Sequence, residues 1–324
     1  MNDFVFTGKV SINEFCAHNS YWRSNCNECI KACPFEALAI DFDNKVVVLD
    51  CIGCGVCYSS CENDAVDLSR NADIEIIKEV EKPSFGCIFA EGENKVSCVT
   101  RISENLITYF VLKFGYINIY TGDCNNCKFK NSLEVFGKNL NKAKEILKAF
   151  DIDTESIKIE QAKSSEPFEP NLGMARRNIL KIKEHLPKRN FLIELVKENI
   201  KNRTFYSGII NLSINDNCDF CSICESVCPK GALIIEKDQT AVIYFNPSVC
   251  SACKNCIDAC PKNAILEEKA FVDDFIPKAV KLFEKPKKIC SCGNIYYTDS
   301  EICPECEIKN KKRQELLSYV KDLF

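Results

Sequence analysis

CDFCSICESVCP, residues 218–229, sets Cys218, Cys221, Cys224 and Cys228 in the run C-x₂-C-x₂-C-x₃-C-P. The run returns about 30 residues later as CSACKNCIDACP, with Cys250, Cys253, Cys256 and Cys260. This spacing is the ligand pattern of an iron–sulfur cube. A pair of zinc sites is the competing reading. Between the two runs, ALIIEKDQTAVIYF (232–245) predicts two short strands joined by a polar turn.

The paired runs resemble bacterial two-cluster ferredoxins over about residues 208–268. In such pairs the fourth cysteine of one run ligates the other cluster. One [4Fe-4S] cube is then assigned to Cys218, Cys221, Cys224 and Cys260, and its neighbour to Cys250, Cys253, Cys256 and Cys228. The amino-terminal region repeats the plan with departures. CIGCGVCYSSCE (51–62) supplies Cys51, Cys54, Cys57 and Cys61, but Glu62 replaces the proline. Upstream, Cys26, Cys29, Cys33 and Pro34 close a run whose first position holds Arg23. A hairpin turning at Asp43-Asn44 is predicted between the two runs. Cys51, Cys54, Cys57 and Cys33 complete a third cube. Cys26, Cys29 and Cys61 need one more ligand for a fourth. Cys16 is the leading candidate, ten residues before Cys26 across a seven-residue insertion. Such an insertion is tolerated because loop-closure entropy grows only logarithmically with length. His18 is an alternative, since imidazole replaces thiolate on iron in some centres, and an open three-iron site is another.

Composition supports metal chemistry over disulfides. The chain has 324 residues and 24 cysteines but only two histidines, His18 and His185. MNDFVFTGKVSINEF (1–15) shows no basic start followed by a long apolar stretch, so a reducing cytoplasm is expected. The longest apolar region, 106–120, contains Lys113 and is too short to span a bilayer, so no direct membrane insertion is expected. The formal charge is −4 with every thiol neutral. Four all-cysteine cubes, at roughly −2 each, would lower it to roughly −12. That excludes a nucleic-acid binder.

Residues 73–162 hold Cys87, Cys98, Cys124 and Cys127. VSCVTRISENLITYFVLKFGYINIYTGDCNNC (96–127) predicts strand, helix, strand and a cysteine pair, with Leu106, Ile107, Phe110, Val111 and Phe114 at helical spacing. A second amphipathic helix is predicted over 139–150, and the alternation suggests a small α/β domain with its metal site at the strand ends. Cys98, Arg101 and Ile102, followed by Gly122, Asp123 and Cys124, resemble the C-x-G-R-[IV] and G-D-C motifs of the iron–sulfur delta subunit of methyl-viologen-reducing hydrogenases. The resemblance implies a further [2Fe-2S] or [4Fe-4S] cluster and traffic of electrons between hydrogenase and heterodisulfide reductase. Thr100 departs from the family's glycine, Cys87 stands alone where the family has a pair, a cysteine before G-D-C is missing and Cys127 is extra. A redox dithiol at Cys124 and Cys127, in the C-x-x-C spacing that lowers a thiol pKa, and a zinc site remain open.

Residues 164–173 form a proline-bearing connector, and 174–203 read as a basic helix interrupted at Pro187, serving as a solvated linker or a docking face for an acidic partner. His185 reads there as a surface residue. Cys290, Cys292, Cys303 and Cys306 resemble a zinc ribbon or rubredoxin-like knuckle, a tetrahedral thiolate site that stabilises a segment too small for its own core. The final 309–324 predicts a basic amphipathic helix packed on the body or on a partner.

The expected fold is α+β. It comprises a ferredoxin-like dicluster unit at 1–72, the α/β domain at 73–162, the basic helical linker at 163–207, a second dicluster unit at 208–270, and the zinc-ribbon-like knuckle with its helix at 271–324. No nucleotide loop and no paired-carboxylate or Ser/His arrangement appears. The sequence therefore predicts a conductor of single low-potential electrons between redox partner proteins of an oxidoreductase complex. An accessory protein that assembles or delivers a metal cofactor is the alternative, and disulfide reduction at Cys124 and Cys127 is a third reading.

Overall fold

The first strand of the chain leaves its own unit and joins a sheet built almost 90 residues later. The computed structural model describes residues 2–162, 188 and 190–321. Strand β1 (Asn2–Phe4) is followed by β2 (Val10–Ile12), α1 (Ala17–Ser20), α2 (Glu28–Ala32), β3 (Leu38–Ile40), β4 (Val46–Val48), α3 (Val56–Ser60) and β5 (Val66–Leu68). β3 pairs antiparallel with β4, and β2 with β5. The predicted hairpin turn forms around Asn44, whose φ is 58°, and the Asp41 carboxylate accepts from the N–H groups of Asp43 and Lys45. A short polar side chain tolerates that left-handed backbone, which is why the turn sits there.

Next come α4 (Asp73–Glu79), β6 (Ser84–Cys87), β7 (Asn94–Val96), α5 (Glu104–Phe114), β8 (Ile117–Thr121), α6 (Leu133–Ala149) and β9 (Ile157–Gln161). The sheet order is β1-β7-β6-β8-β9, and every pairing is parallel. α5 and α6 are the crossovers that parallel neighbours normally require. β6 and β7 have no room for one, and glycine solves the problem. A Cβ on Gly86 would stand 1.6 Å from the Glu91 carbonyl oxygen, and Gly92 has φ +126°. Leu106, Ile107, Phe110 and Val111 are buried on α5, as their spacing predicts. α6 begins at Leu133, six residues before the expected start. Gly137 breaks the apolar pattern there, but burial of Phe136 in the core outweighs the roughly 1 kcal/mol a helical glycine loses.

One core joins the first unit to this domain: Phe4, Ala32, Cys54 and Val56 pack with Phe85, Val96, Ile102 and Phe110. A fully buried ion pair locks it. Arg101 Nη1 donates to Asp73 Oδ1 at 2.8 Å, both side chains being 1% exposed. Arg101 Nη2 reaches the Asn71 carbonyl at 2.6 Å, and the Ser103 hydroxyl donates to Asp73. The guanidinium also lies 4.7 Å from the Tyr58 ring centroid.

The connector 164–173 and most of the predicted basic helix, with His185 and Pro187, lie outside the described residues. α7 (Asn190–Asn199) precedes β10 (Asn211–Ile214), α8 (Ile223–Ser226), β11 (Leu233–Lys237), β12 (Thr240–Phe245), α9 (Asn255–Asp258), β13 (Ile265–Glu268), β14 (Val280–Pro286), β15 (Lys288–Ile289), β16 (Ile295–Tyr296) and α10 (Pro304–Lys321). β10 pairs antiparallel with β13, and β11 with β12 as expected. β14 then adds a third strand to β12, so the tail segment starts inside the sheet of the second unit. Val196 of α7 packs with Ile146, Phe150, Tyr206 and Phe275, joining α6 to the second unit. The terminal helix is the segment expected to pack on the body or on a partner. Its side chains from Ile308 to Ser318 are exposed, with Leu316 at 67%, so over the described residues it does not lie on the body. Among the described residues, no helix is long and apolar enough to cross a membrane.

Breaking a buried ion pair by removing one partner strands a charge in a low-dielectric interior. Asp73→Ala is therefore expected to lower stability by about 3–5 kcal/mol, read as a reduced urea midpoint under anaerobic conditions.

Candidate metal centres

Each complete cysteine run builds its site with the same backbone device. Two residues in each loop turn left-handed: Gly53 and Gly55, Phe220 and Ser222, Ala252 and Lys254. The fourth cysteine of every run then accepts a hydrogen bond from the backbone N–H four residues on. These bonds are Ala37 to Cys33 at 3.2 Å, Ala65 to Cys61 at 3.3 Å, Ala232 to Cys228 at 3.2 Å and Ala264 to Cys260 at 3.3 Å. The alanines are buried, at 3, 3, 2 and 1% exposure, and the residue before each has positive φ. An N–H aimed at a sulfur favours its thiolate form. The repeated C-x₃-A is a signal legible in the sequence that the spacing of cysteines alone does not use.

The thiols gather in fours, each close enough that charge on one raises the pKa of its neighbours. Cys51, Cys54 and Cys57 meet Cys33. Cys218, Cys221 and Cys224 meet Cys260, and Cys250, Cys253 and Cys256 meet Cys228. In both units the structure thus brings together the thiols that cross-run pairing would join. Burial is the largest cause of the upward shifts, which bring Cys54 and Cys224 to about 12. Four thiols gathered this closely fit a cationic metal core that takes their charge.

At the first run, Cys16, Cys26, Cys29 and Cys61 line one cavity of roughly 440 Å³. Cys26 is pushed up to about 12 by burial and by Cys61 and Cys16. Arg23, in the position of the missing cysteine, is exposed, with its guanidinium over the Trp22 ring. His18 lines the same cavity and is 2% exposed. Its Nε2 lies 2.6 Å from the Cys26 carbonyl oxygen, while Nδ1 has no partner. Both proposed fourth ligands are therefore at hand, and Cys16 is the one whose charge is felt by Cys26 and Cys29.

Cys87 ends β6, Cys98 lies two residues past β7, and Cys124 and Cys127 follow β8. These are the carboxyl ends of adjoining parallel strands, where such sheets place their ligands. The four line a small cavity with Phe89, Ser97 and Asp123. Thr100, the departure from the glycine of the resembling motif, has a use here. Burial pushes the Cys98 thiol up, the buried Thr100 hydroxyl pulls it down, and together they leave it at about 11.

The tail differs. Sulfurs of Cys290, Cys292, Cys303 and Cys306 all lie within 4.8 Å of one another. Among the described residues no other such group is this tight, and the set suits a single ion. The backbone N–H groups of Cys292 and Cys303 pull the Cys290 thiol below its ordinary value, while its neighbours push Cys306 up.

The five larger sets lie next to one another in space, in one continuous order. Cys98 acts on Cys54, Cys29 on Cys57, Cys253 on Cys26, and Cys224 on Cys256. Lys188, in the segment expected to be a solvated linker or docking face, is instead buried. Its ammonium donates to the Tyr58 and Cys61 carbonyl oxygens at 2.7 and 2.6 Å; burial pushes the Cys61 thiol up, and the ammonium opposes that rise.

A 4Fe-4S dicluster domain family matches residues 198–265. A ferredoxin of Methanothermococcus thermolithotrophicus is 44% identical over 47 residues, 14% of this chain and 78% of that protein.

Two outcomes follow from the thiol environment. Cys16→Ser is expected to lose iron from the first site while His18→Ala retains it, measured as iron per chain after anaerobic reconstitution. The reverse pattern would make His18 the ligand. Because burial holds thiols such as Cys26, Cys54 and Cys224 above their ordinary value, metal binding must expel their protons. Iron loading should therefore fall as pH is lowered, which a titration of iron content against pH would read.

Proposed function

The chain belongs to the dicluster ferredoxins through residues 198–265, and from that premise we propose that it is a polyferredoxin, an iron–sulfur electron-transfer protein with four [4Fe-4S] cubes and a fifth centre. The observation that carries this reading is the unbroken order of neighbouring four-thiol sets: middle domain, Cys33/Cys51/Cys54/Cys57, Cys16/Cys26/Cys29/Cys61, Cys228/Cys250/Cys253/Cys256, Cys218/Cys221/Cys224/Cys260. A cube held by thiolates takes up and returns a single electron, usually at low potential.

The chain's own residues supply the rest. Buried and half-buried cysteines shield most of each site from water, and the alanine N–H groups and the Lys188 ammonium favour negative charge on the sulfurs. Thr100 does the same for Cys98. Burial and hydrogen bonding of this kind tune a centre's potential. Access to partners differs along the order, since Cys51 and Cys221 are exposed while Cys124 and Cys127 are half-buried at the far end. The middle domain is where electrons enter or leave, and a hydrogenase, a formate dehydrogenase or a heterodisulfide-reductase-like complex is the natural partner by resemblance. The tail set holds zinc as a structural brace.

The roomy cavity beside Cys26 favours a second reading, delivery of a metal cofactor. The two differ in iron retention. Reconstituted protein is expected to hold about 18 iron, or about 20 if the fifth centre is a cube, with one zinc. A low-potential reductant should bleach all four cubes, and transfer of iron to an apo-acceptor without turnover would move the assignment to delivery.

A further inference from the structure

The two ferredoxin-like units meet at the places where the first one breaks its repeat. Asn63 stands beyond Glu62, in the stretch where the other runs have a proline after the cysteine. It is 3% exposed, and its side-chain amide sits between the units. Asn63 Nδ2 faces the Cys26 sulfur at 3.9 Å, and Asn63 Oδ1 accepts from the Ser251 hydroxyl. Ser251, 5% exposed, lies in the loop of the second unit two residues before Cys253, whose thiol its hydroxyl influences. The sulfurs of Cys26 and Cys253 are thus linked by two buried polar side chains, neither of which is a candidate ligand.

A second contact holds that link in place. Asn255 is fully buried. Its amide donates to the Ala17 carbonyl at 2.9 Å, and its oxygen accepts from the Ser24 hydroxyl at 2.8 Å. Ala17 and Ser24 lie within the inserted segment between Cys16 and Cys26. The insertion is therefore the surface on which the second unit docks. Lys230 adds an ion pair to Asp64 at 3.1 Å, with the side chains 10% and 8% exposed. Buried amides and hydroxyls satisfied across a contact fix one relative arrangement, because any shift leaves them unpaired in a low dielectric.

We propose that the series Cys26–Asn63–Ser251–Cys253, hydrogen-bonded across the contact through Asn63 and Ser251 and held by Asn255 against the inserted segment, is the junction that couples the two ferredoxin units electronically. This rests on the electron-transfer reading above and assigns Asn63 and Ser251 as positioning residues. The Asn63 amide further acts on the first site by directing an N–H at the Cys26 sulfur, a contact that raises the potential of a thiolate-held centre.

The test uses the full chain, reconstituted anaerobically with iron and sulfide and fully reduced, as wild type, Asn63→Leu and Ser251→Ala. Iron per chain is measured beside the low-temperature electron paramagnetic resonance spectrum. The wild-type spectrum is expected to need magnetic interaction along four successive cubes. Each variant that retains wild-type iron should show a weakened interaction between the two inner cubes, Asn255 still holding the units together, and Asn63→Leu should also lower the potential of the first site. The two substitutions lie on opposite sides of the contact, so one that loses iron leaves the other to decide. Unchanged interaction in an iron-replete variant would overturn the junction, as would wild-type cubes that reduce fully yet behave as two separate pairs. Wild-type cubes that cannot be reduced would instead remove the electron-transfer reading itself.

Discussion

Bringing sulfurs together in fours, away from water, is the constraint on which this architecture depends. Each thiolate repels the next, and burial disfavours the charge on all of them. Without a cationic core, the four would stay protonated, as the upward shifts of Cys26, Cys54 and Cys224 express. The chain answers with geometry set by the backbone. Paired left-handed residues wrap the loop so that three cysteines face inward, and the N–H of a buried alanine meets the fourth. Little of this depends on a large hydrophobic core within a ferredoxin unit, and the strands beside the sites are only three to six residues long.

Such small units gain from packing on something else. The first unit shares its core with the parallel sheet of the middle domain, and Arg101, paired with Asp73, reaches across that boundary to the Asn71 carbonyl and the ring of Tyr58 of α3. On its other flank, Glu62 pairs with Lys142 of α6. The residues that depart from the ferredoxin repeat are the ones used for these contacts. Glu62 reaches the middle domain, Asn63 reaches Ser251, and the inserted segment receives Asn255. A repeat copied without change would have kept its proline and lost these partners. The irregularities are docking features.

Much of this was legible in order along the chain. The runs at 218–229 and 250–261, the two hairpins, the helix with Leu106 and Phe110, and the cysteines at strand ends follow from spacing and periodicity, which are local properties. Other features were visible but unread. C-x₃-A recurs after every fourth cysteine because the N–H at that position must reach sulfur. Thr100 in place of glycine reads as a defect until its hydroxyl is seen beside Cys98. Gly86 and Gly92 carry no periodic signal, yet they allow two parallel strands to be joined without a helix.

The sequence by itself determined which cysteines belong to which run, and hence the thiolate chemistry, since ligand spacing within one loop is a short-range matter. Only the tertiary structure decided the neighbours. β1 pairing with β7, β14 pairing with β12, and Lys188 placed under Cys61 all join residues far apart in the chain. So does the approach of Cys26 to Cys253, which turns two separate pairs of sites into one series. These contacts rest on buried amides, hydroxyls and charges that are satisfied only when two distant surfaces meet, and no local pattern records which surface that is.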